Sequence, residues 1–245
     1  MIKNPNQLAL GIRGIQERAY KSKDCFTPLL SKHLPNWDNS LEGRMIFWSE
    51  KKTHTRFFKA PTDFLGWQML AKEGRKTIFN LIGPLLNPAN PECQLVGVFD
   101  HNLCPVFAEI LQRLGRDSAW VVNGATIDGR AVDEMSLMGP TRICKSGRNQ
   151  EQVDEEVKPS DFGLDLAEVK DLQGGDAVVN AKILEDILAG REKGVKCDMV
   201  LLNAAAAMAC AGLADNLEDG LAKGRKVIAD GSAFERLRLL KEIAK

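Results

Sequence analysis

Between residues 94 and 123 the chain changes its apolar period twice, and that change constrains the fold more than any other stretch. QLVGVFD (residues 94–100) is an apolar run of strand length. Residues 102–114 then set Leu103, Val106, Phe107, Ile110, Leu111 and Leu114 on one helical stripe, and SAWVVN (residues 118–123) is again strand-like. A strand, a helix of about four turns and a second strand form a βαβ unit, whose strands lie parallel with a right-handed crossover. This part of the chain is therefore α/β.

The remaining elements extend that unit. TRICKSG and QVDEEVKP predict two short strands turning at Gly147-Arg148-Asn149, a hairpin or edge addition to the sheet. Residues 160–164 read as a loop. Gly174-Gly175-Asp176 opens a helix with Asp176 as N-cap, and Gly190 stops it. The last third is helical. Met199 to Leu202, bulky and apolar, reads as a strand running into the alanine-rich helix that ends at Gly212, and Asn203 reads as a structural residue that satisfies buried backbone groups. Two further helices, residues 217–230 and 232–244, take Asp215 and Ser232 as caps.

The first quarter differs in kind. Residues 1–60 carry eleven Lys and Arg against five Asp and Glu, while the remaining 185 carry 22 against 28. A short helix fits residues 7–23, weakened by Gly11 and Gly14. From residue 25 to 61 no period is sustained and MIFW is the only strand-like run. This composition fits a degenerate or poorly ordered segment over residues 1–60, followed by an α/β domain over 61–245. A basic, aromatic nucleic-acid arm is disfavoured by the interleaved Glu42 and Glu50 and by a formal net charge of zero. The longest apolar segment, residues 200–213, contains Asn203 and is too short to span a bilayer. The six cysteines are scattered singly and read as reduced thiols of a cytoplasmic protein.

Four words carry chemical information: RKTIFNLIGPLLNP (75–88), DEMSLMGPT (133–141), DLQGGDAVVNAKIL (171–184) and VLLNAAAAMACAGLA (200–214). In the first, Gly83-Pro84 and Asn87-Pro88 interrupt an apolar helix-like run. The second sets two adjacent carboxylates, Asp133 and Glu134, in a loop or strand end where one cation could reach both; most such pairs, taken alone, are solvated surface residues. Gly174-Gly175-Asp176 fits a tight turn with an N-cap better than a phosphate cradle, because Asp176 would repel a phosphate. His33, His54 and His101 lack partners at metal or triad spacing, and His101 is expected to be exposed.

In order and wording these four words resemble the anthranilate phosphoribosyltransferases, of the glycosyltransferase family 3 fold, from about residue 72 onward. The resemblance implies a mixed, mostly parallel sheet flanked by helices and a role in tryptophan biosynthesis. It implies 5-phosphoribosyl 1-diphosphate and anthranilate as substrates, a possible homodimer, and no nucleic-acid or membrane partner. By the same resemblance Asp133 and Glu134 hold Mg²⁺ against the pyrophosphate, and no residue acts as a nucleophile. The anthranilate amine attacks C1 of the ribose as pyrophosphate leaves, so catalysis is positioning and electrostatic stabilisation.

The departures from that family lie upstream. Its glycine-rich GTGGD loop, Asn-Ser-Thr turn and Lys-His-Gly-Asn stretch do not occur in this sequence; the nearest fragment, Lys32-His33-Leu34-Pro35-Asn36, lacks the glycines that let a backbone approach a phosphate. GWQMLAKEG stands where the family carries an arginine for anthranilate, so the substrate-binding residues are left unassigned. These departures lead us to expect a truncated or frame-shifted product with impaired transferase activity. A non-catalytic remnant or interaction module of the same fold is the alternative.

Overall fold

The computed structural model describes residues 44–47, 56–59, 83–86 and 91–243. The chain divides into two compact units, residues 1–92 with 113–116, and residues 93–112 with 117–245.

In the first unit, β1 (Arg44–Phe47) and β2 (Arg56–Lys59) pair antiparallel, with Arg44 opposite Lys59 and Phe47 opposite Arg56. MIFW thus overlaps a real strand, whereas RFFK, its partner, showed no strand signal. Gly83–Leu86 forms a single 3-10 turn with Leu85 buried. That turn falls where Gly83-Pro84 interrupts the apolar run; the rest of the run, the helix expected over residues 7–23 and the boundary expected near residue 60 lie outside the described residues.

In the second unit, β3 (Cys93–Gly97), α1 (Leu103–Arg113) and β4 (Ser118–Ala125) form the expected βαβ unit, with β3 and β4 parallel. Pro105 is tolerated because it lies in the first turn of α1, where its missing N–H has no intrahelical acceptor. Beyond β4 come β5 (Ala131–Val132), β6 (Thr141–Ser146) and β7 (Val153–Val157), and the sheet order is β3-β4-β6-β7 with β5 also against β4. The result is a mixed α/β sheet flanked by helices. Among the described strands β3 and β4 pair parallel, while β5, β6 and β7 pair antiparallel. The antiparallel neighbours that follow one another, β4 with β5 and β6 with β7, are joined by loops too short for a parallel crossover. The β6–β7 turn is closed by Gln150 N–H donating to Gly147 O, with Asn149 at positive φ.

Alternation on β4 and β6 divides the sheet's two faces. Ala119, Val121, Cys144 and Ser146 face α1, whose Cys104, Phe107, Ala108, Ile110 and Leu111 are buried. Ser146 Oγ donates to Ala108 O at 2.8 Å, and Gln112 Nε2 to Gly147 O at 2.9 Å, so α1 runs along β6. Trp120, Val122 and Ile143 face the other way, into a core built with the helices that follow β7. Those are a 3-10 turn at Pro159–Phe162, α2 (Val169–Leu172), α3 (Ala177–Leu188), α4 (Val195–Cys210), α5 (Leu217–Ala229) and α6 (Ser232–Ile243). Among the described residues no helix is long and apolar enough to cross a membrane. The described cysteines form no disulfide, and Cys104, Cys144, Cys197 and Cys210 are buried.

Three local expectations need correction. Met199 to Leu202 lie inside α4, not on a strand; a helix buried over much of its circumference presents an apolar run that mimics one. The N-cap of α5 is Asn216, whose Oδ1 accepts from Asp219 N–H at 2.8 Å, while Asp215 N–H donates to Asp219. Ser232 is the first residue of α6, and its hydroxyl donates to Asp230 rather than accepting from the helix amides. By contrast Asp176 caps α3 through Val179 N–H, and Gly190 at φ 69° ends it with Arg191 N–H on Asp186 O.

The alanine run lets α5 approach α4 closely. A Cβ on Gly220 would stand 2.8 Å from Ala205 Cα and 2.9 Å from its carbonyl oxygen, both too near to accept a carbon. Alanine would gain about 1 kcal/mol of helix propensity at that position. Overpacking against backbone costs about 1–3 kcal/mol and cannot be relieved by a rotamer change, so it wins. Gly220→Ala should therefore lower the thermal unfolding midpoint by a few degrees, whereas the same exchange on an open helix surface would raise it.

Candidate metal site at the end of the sheet

β3 stops at Gly97 while β4 runs on to Ala125, and β5 takes the vacant place beside β4, pairing Val132 with Gly124 and Ala131 with Ala125. Asp133 and Glu134 come directly after it. Their backbone lies on the sheet itself: a Cβ on Gly97 would overlap Asp133 O, and one on Gly124 would fall 2.5 Å from Glu134 O. No side chain fits at either position. Glycine inside a strand commonly marks such a close backbone approach.

The next four residues pin the acids. Met135, Ser136, Leu137 and Met138 are all buried. Ser136 N–H donates to Thr141 Oγ1 at 3.0 Å, Ser136 Oγ donates to Ala125 O at 2.8 Å, and Met138 N–H donates to Ser136 Oγ at 3.0 Å. Ala125 N–H donates to Pro140 O at 2.9 Å. From α4, Asn203 accepts from Met135 N–H and donates to Met135 O, both at 3.0 Å, as expected of a residue that satisfies backbone groups. The apolar half of DEMSLMGPT is thus an anchor, and its acidic half is left at the surface.

Both acids are exposed, and neither is held in an ion pair or hydrogen bond among the described residues. Although Glu134 is exposed as a residue, its carboxyl is partly withdrawn from water. That burial, and next the charge of Asp133, raise its pKa. Two carboxylates in sequence, one of them penalised for its charge, are a donor set that a hard dication would stabilise. Among the described residues no group of three or more His, Cys, Asp or Glu could hold an ion unaided. Mg²⁺ is commonly held by one or two carboxylates with water and phosphate oxygens completing its shell, so a pair suffices.

Two loops share this end of the sheet. In residues 126–130, Thr126 and Arg130 hold the Asp128 carboxyl below its ordinary value, an exposed cluster that adds little stability. After β3, Asn123 Nδ2 donates to Val98 O at 2.6 Å, and Arg142, paired with Asp154 across β6 and β7, donates through Nη1 to His101 O at 2.9 Å. His101 itself is exposed. The Gly174-Gly175 turn is closed rather than open, since Asn180 accepts from Gly175 N–H and donates to Gly175 O, both at 2.9 Å. Its amide is thereby occupied, in keeping with a turn and N-cap. The spacer glycines 97 and 124, with Ser136 and Thr141, went unread as site residues in the sequence; a glycine inside each strand pattern was the available signal.

Comparison with known proteins identifies the family of this domain. The glycosyl transferase family, a/b domain, matches residues 67–234. Anthranilate phosphoribosyltransferase of Anaeromyxobacter dehalogenans strain 2CP-1 is 42% identical over 167 residues, 68% of this chain and 48% of the relative. That of Nitrobacter hamburgensis is 45% identical over 165 residues, 67% and 47% respectively. The crystal structure of the Thermus thermophilus enzyme superposes with a TM-score of 0.62 at 36% identity, covering 70% of this chain and 49% of that one. A Mg-bound variant of the Saccharomyces cerevisiae enzyme gives 0.61 at 26% identity, covering 70% and 49%. The chain spans about half the length of the curated relatives it matches. With its family match over most of its length, the chain belongs to the glycosyl transferase family, a/b domain.

Proposed function

We propose that this α/β body serves phosphoribosyl transfer from 5-phosphoribosyl 1-diphosphate to anthranilate, the reaction named for its relatives, and that Asp133 and Glu134 are its Mg²⁺ ligands. The observation that carries the reading is the placement of two exposed, unbridged carboxylates at the end of the sheet by a word whose remaining residues are buried anchors. Bound there, Mg²⁺ would neutralise charge on a departing pyrophosphate. The protein's own part is to hold two oxygens in place before the ion arrives. Gly97 and Gly124 set the height of the two residues above the sheet, and Met135 and Leu137 keep the following backbone from yielding. With no protein nucleophile in the reading, rate would come from orientation and charge stabilisation.

We further propose that this polypeptide on its own turns over slowly. The sequence before residue 60 has no glycine-rich loop by which backbone amides could cradle the pyrophosphate. Ion binding by the acidic pair would then persist, with pyrophosphate held weakly, where transfer does not. Adding the phosphoribosyl donor to the polypeptide, anthranilate and Mg²⁺ should give little or no loss of anthranilate fluorescence. Mn²⁺ should nevertheless bind in the presence of pyrophosphate, and Asp133→Asn with Glu134→Gln should weaken that binding by at least about tenfold. Unchanged Mn²⁺ binding in the double variant would remove the metal assignment.

The raised Glu134 carboxyl sets a sign for pH. Because the folded state holds this proton more tightly than the unfolded chain, Glu134 opposes folding once both are ionised, and the penalty develops as pH rises from the ordinary value of 4.5 through the raised one. Glu134→Gln should therefore leave the metal-free protein at neutral pH as stable as wild type or slightly more so, measured by thermal unfolding. Mn²⁺ affinity of the wild type should fall as pH drops through a transition above 4.5, and a transition at or below that value would contradict the account.

A further inference from the structure

We propose that Asn203 is a positioning residue for the metal: its carboxamide fixes the Glu134–Met135 peptide and thereby the direction in which the paired carboxylates are presented. The inference rests on the Mg²⁺ reading of Asp133 and Glu134 and adds a residue on a different element to it.

The geometry is that of a two-point grip. Asn203 Oδ1 accepts from Met135 N–H at 3.0 Å, and Nδ2 donates to Met135 O at 3.0 Å. One carboxamide thus holds both polar groups of one residue, as a neighbouring strand would. Met135 N–H belongs to the same peptide plane as Glu134 C=O, and that carbonyl already rests over Gly124. The plane is held at one end by a helix and at the other by the sheet. Tilting of that plane, which would lift the backbone carrying Glu134 off the sheet, is blocked.

Asn203 is itself fixed. Nδ2 also donates to Met199 O at 3.1 Å, one turn back on α4, which selects a single rotamer. Anchoring alone does not account for the grip, because Met135 and Leu137 are fully buried and already tie the loop to the core. The carboxamide adds an angular constraint that apolar burial does not supply. Groups that orient ligands without touching the ion typically change metal affinity by about 10–100-fold when removed.

The test uses the whole chain, Mn²⁺ in place of Mg²⁺, and pyrophosphate as the companion ligand. Asn203→Gln keeps a polar side chain but displaces its carboxamide by one methylene, and Asn203→Ala removes it. Leu221→Ala, a buried truncation on α5 with no part in the grip on Met135, is the comparison for lost stability. Each protein is titrated with Mn²⁺ and its thermal midpoint recorded. Both Asn203 variants should bind Mn²⁺ about tenfold or more weakly, while Leu221→Ala should lower the midpoint and leave affinity within about twofold. The Gln variant carries the test if the Ala variant does not fold. Wild-type affinity in Asn203→Gln, or an equal loss in Leu221→Ala, would overturn the positioning role and leave the metal assignment intact. Absence of Mn²⁺ binding by the wild type would overturn both.

Discussion

The placement of the acidic pair depends on a close backbone contact. Asp133 O lies so near Gly97, and Glu134 O so near Gly124, that neither strand position has room for even a methyl group. Everything else at this end of the sheet depends on that contact. β3 must end at Gly97, β5 must occupy the place beyond it, and the segment from Met135 to Met138 must turn into the core behind the acids. The pair follows β5, which is laddered to β4, and precedes the buried Met135–Met138 segment, so its backbone is held at both ends. Sites built on such elements hold their geometry better than sites on free loops.

The chemistry assigned to the pair needs this rigidity. Two neighbouring carboxylates repel one another, and burial raises the Glu134 carboxyl further. Left on a flexible loop they would separate and hydrate independently. Held by glycines beneath and by Ser136, Thr141 and Asn203 behind, they keep a shared geometry at some electrostatic cost, which a bound dication would offset. The helices opposite serve the same end: the alanine-rich α4 approaches α5 at Gly220 and carries Asn203 within reach of Met135.

Much of this was legible in the sequence, for identifiable reasons. The βαβ unit was readable because residues 94–123 change period sharply, and the β6–β7 hairpin because a turn triplet separates two strand-like runs. The acidic pair was readable as chemistry only within its word. Other features were not legible, because they arise between distant residues. A glycine inside a strand pattern marks Gly97 for a close approach but not which backbone will cover it, and β5 is two residues long, below the length at which alternation can be seen. Met199 to Leu202 misled because a helix buried on several sides loses its polar stripe.

The account turns on where an ion would sit. Its most direct test is a crystal structure of the chain grown with Mn²⁺ and pyrophosphate, with the metal located by anomalous scattering. The account predicts a single strong peak in contact with carboxylate oxygens of both Asp133 and Glu134, at about 2.0–2.3 Å, with Asp133 O still resting over Gly97. A metal bound elsewhere, or an acidic segment lifted away from Gly97 and Gly124, would contradict it.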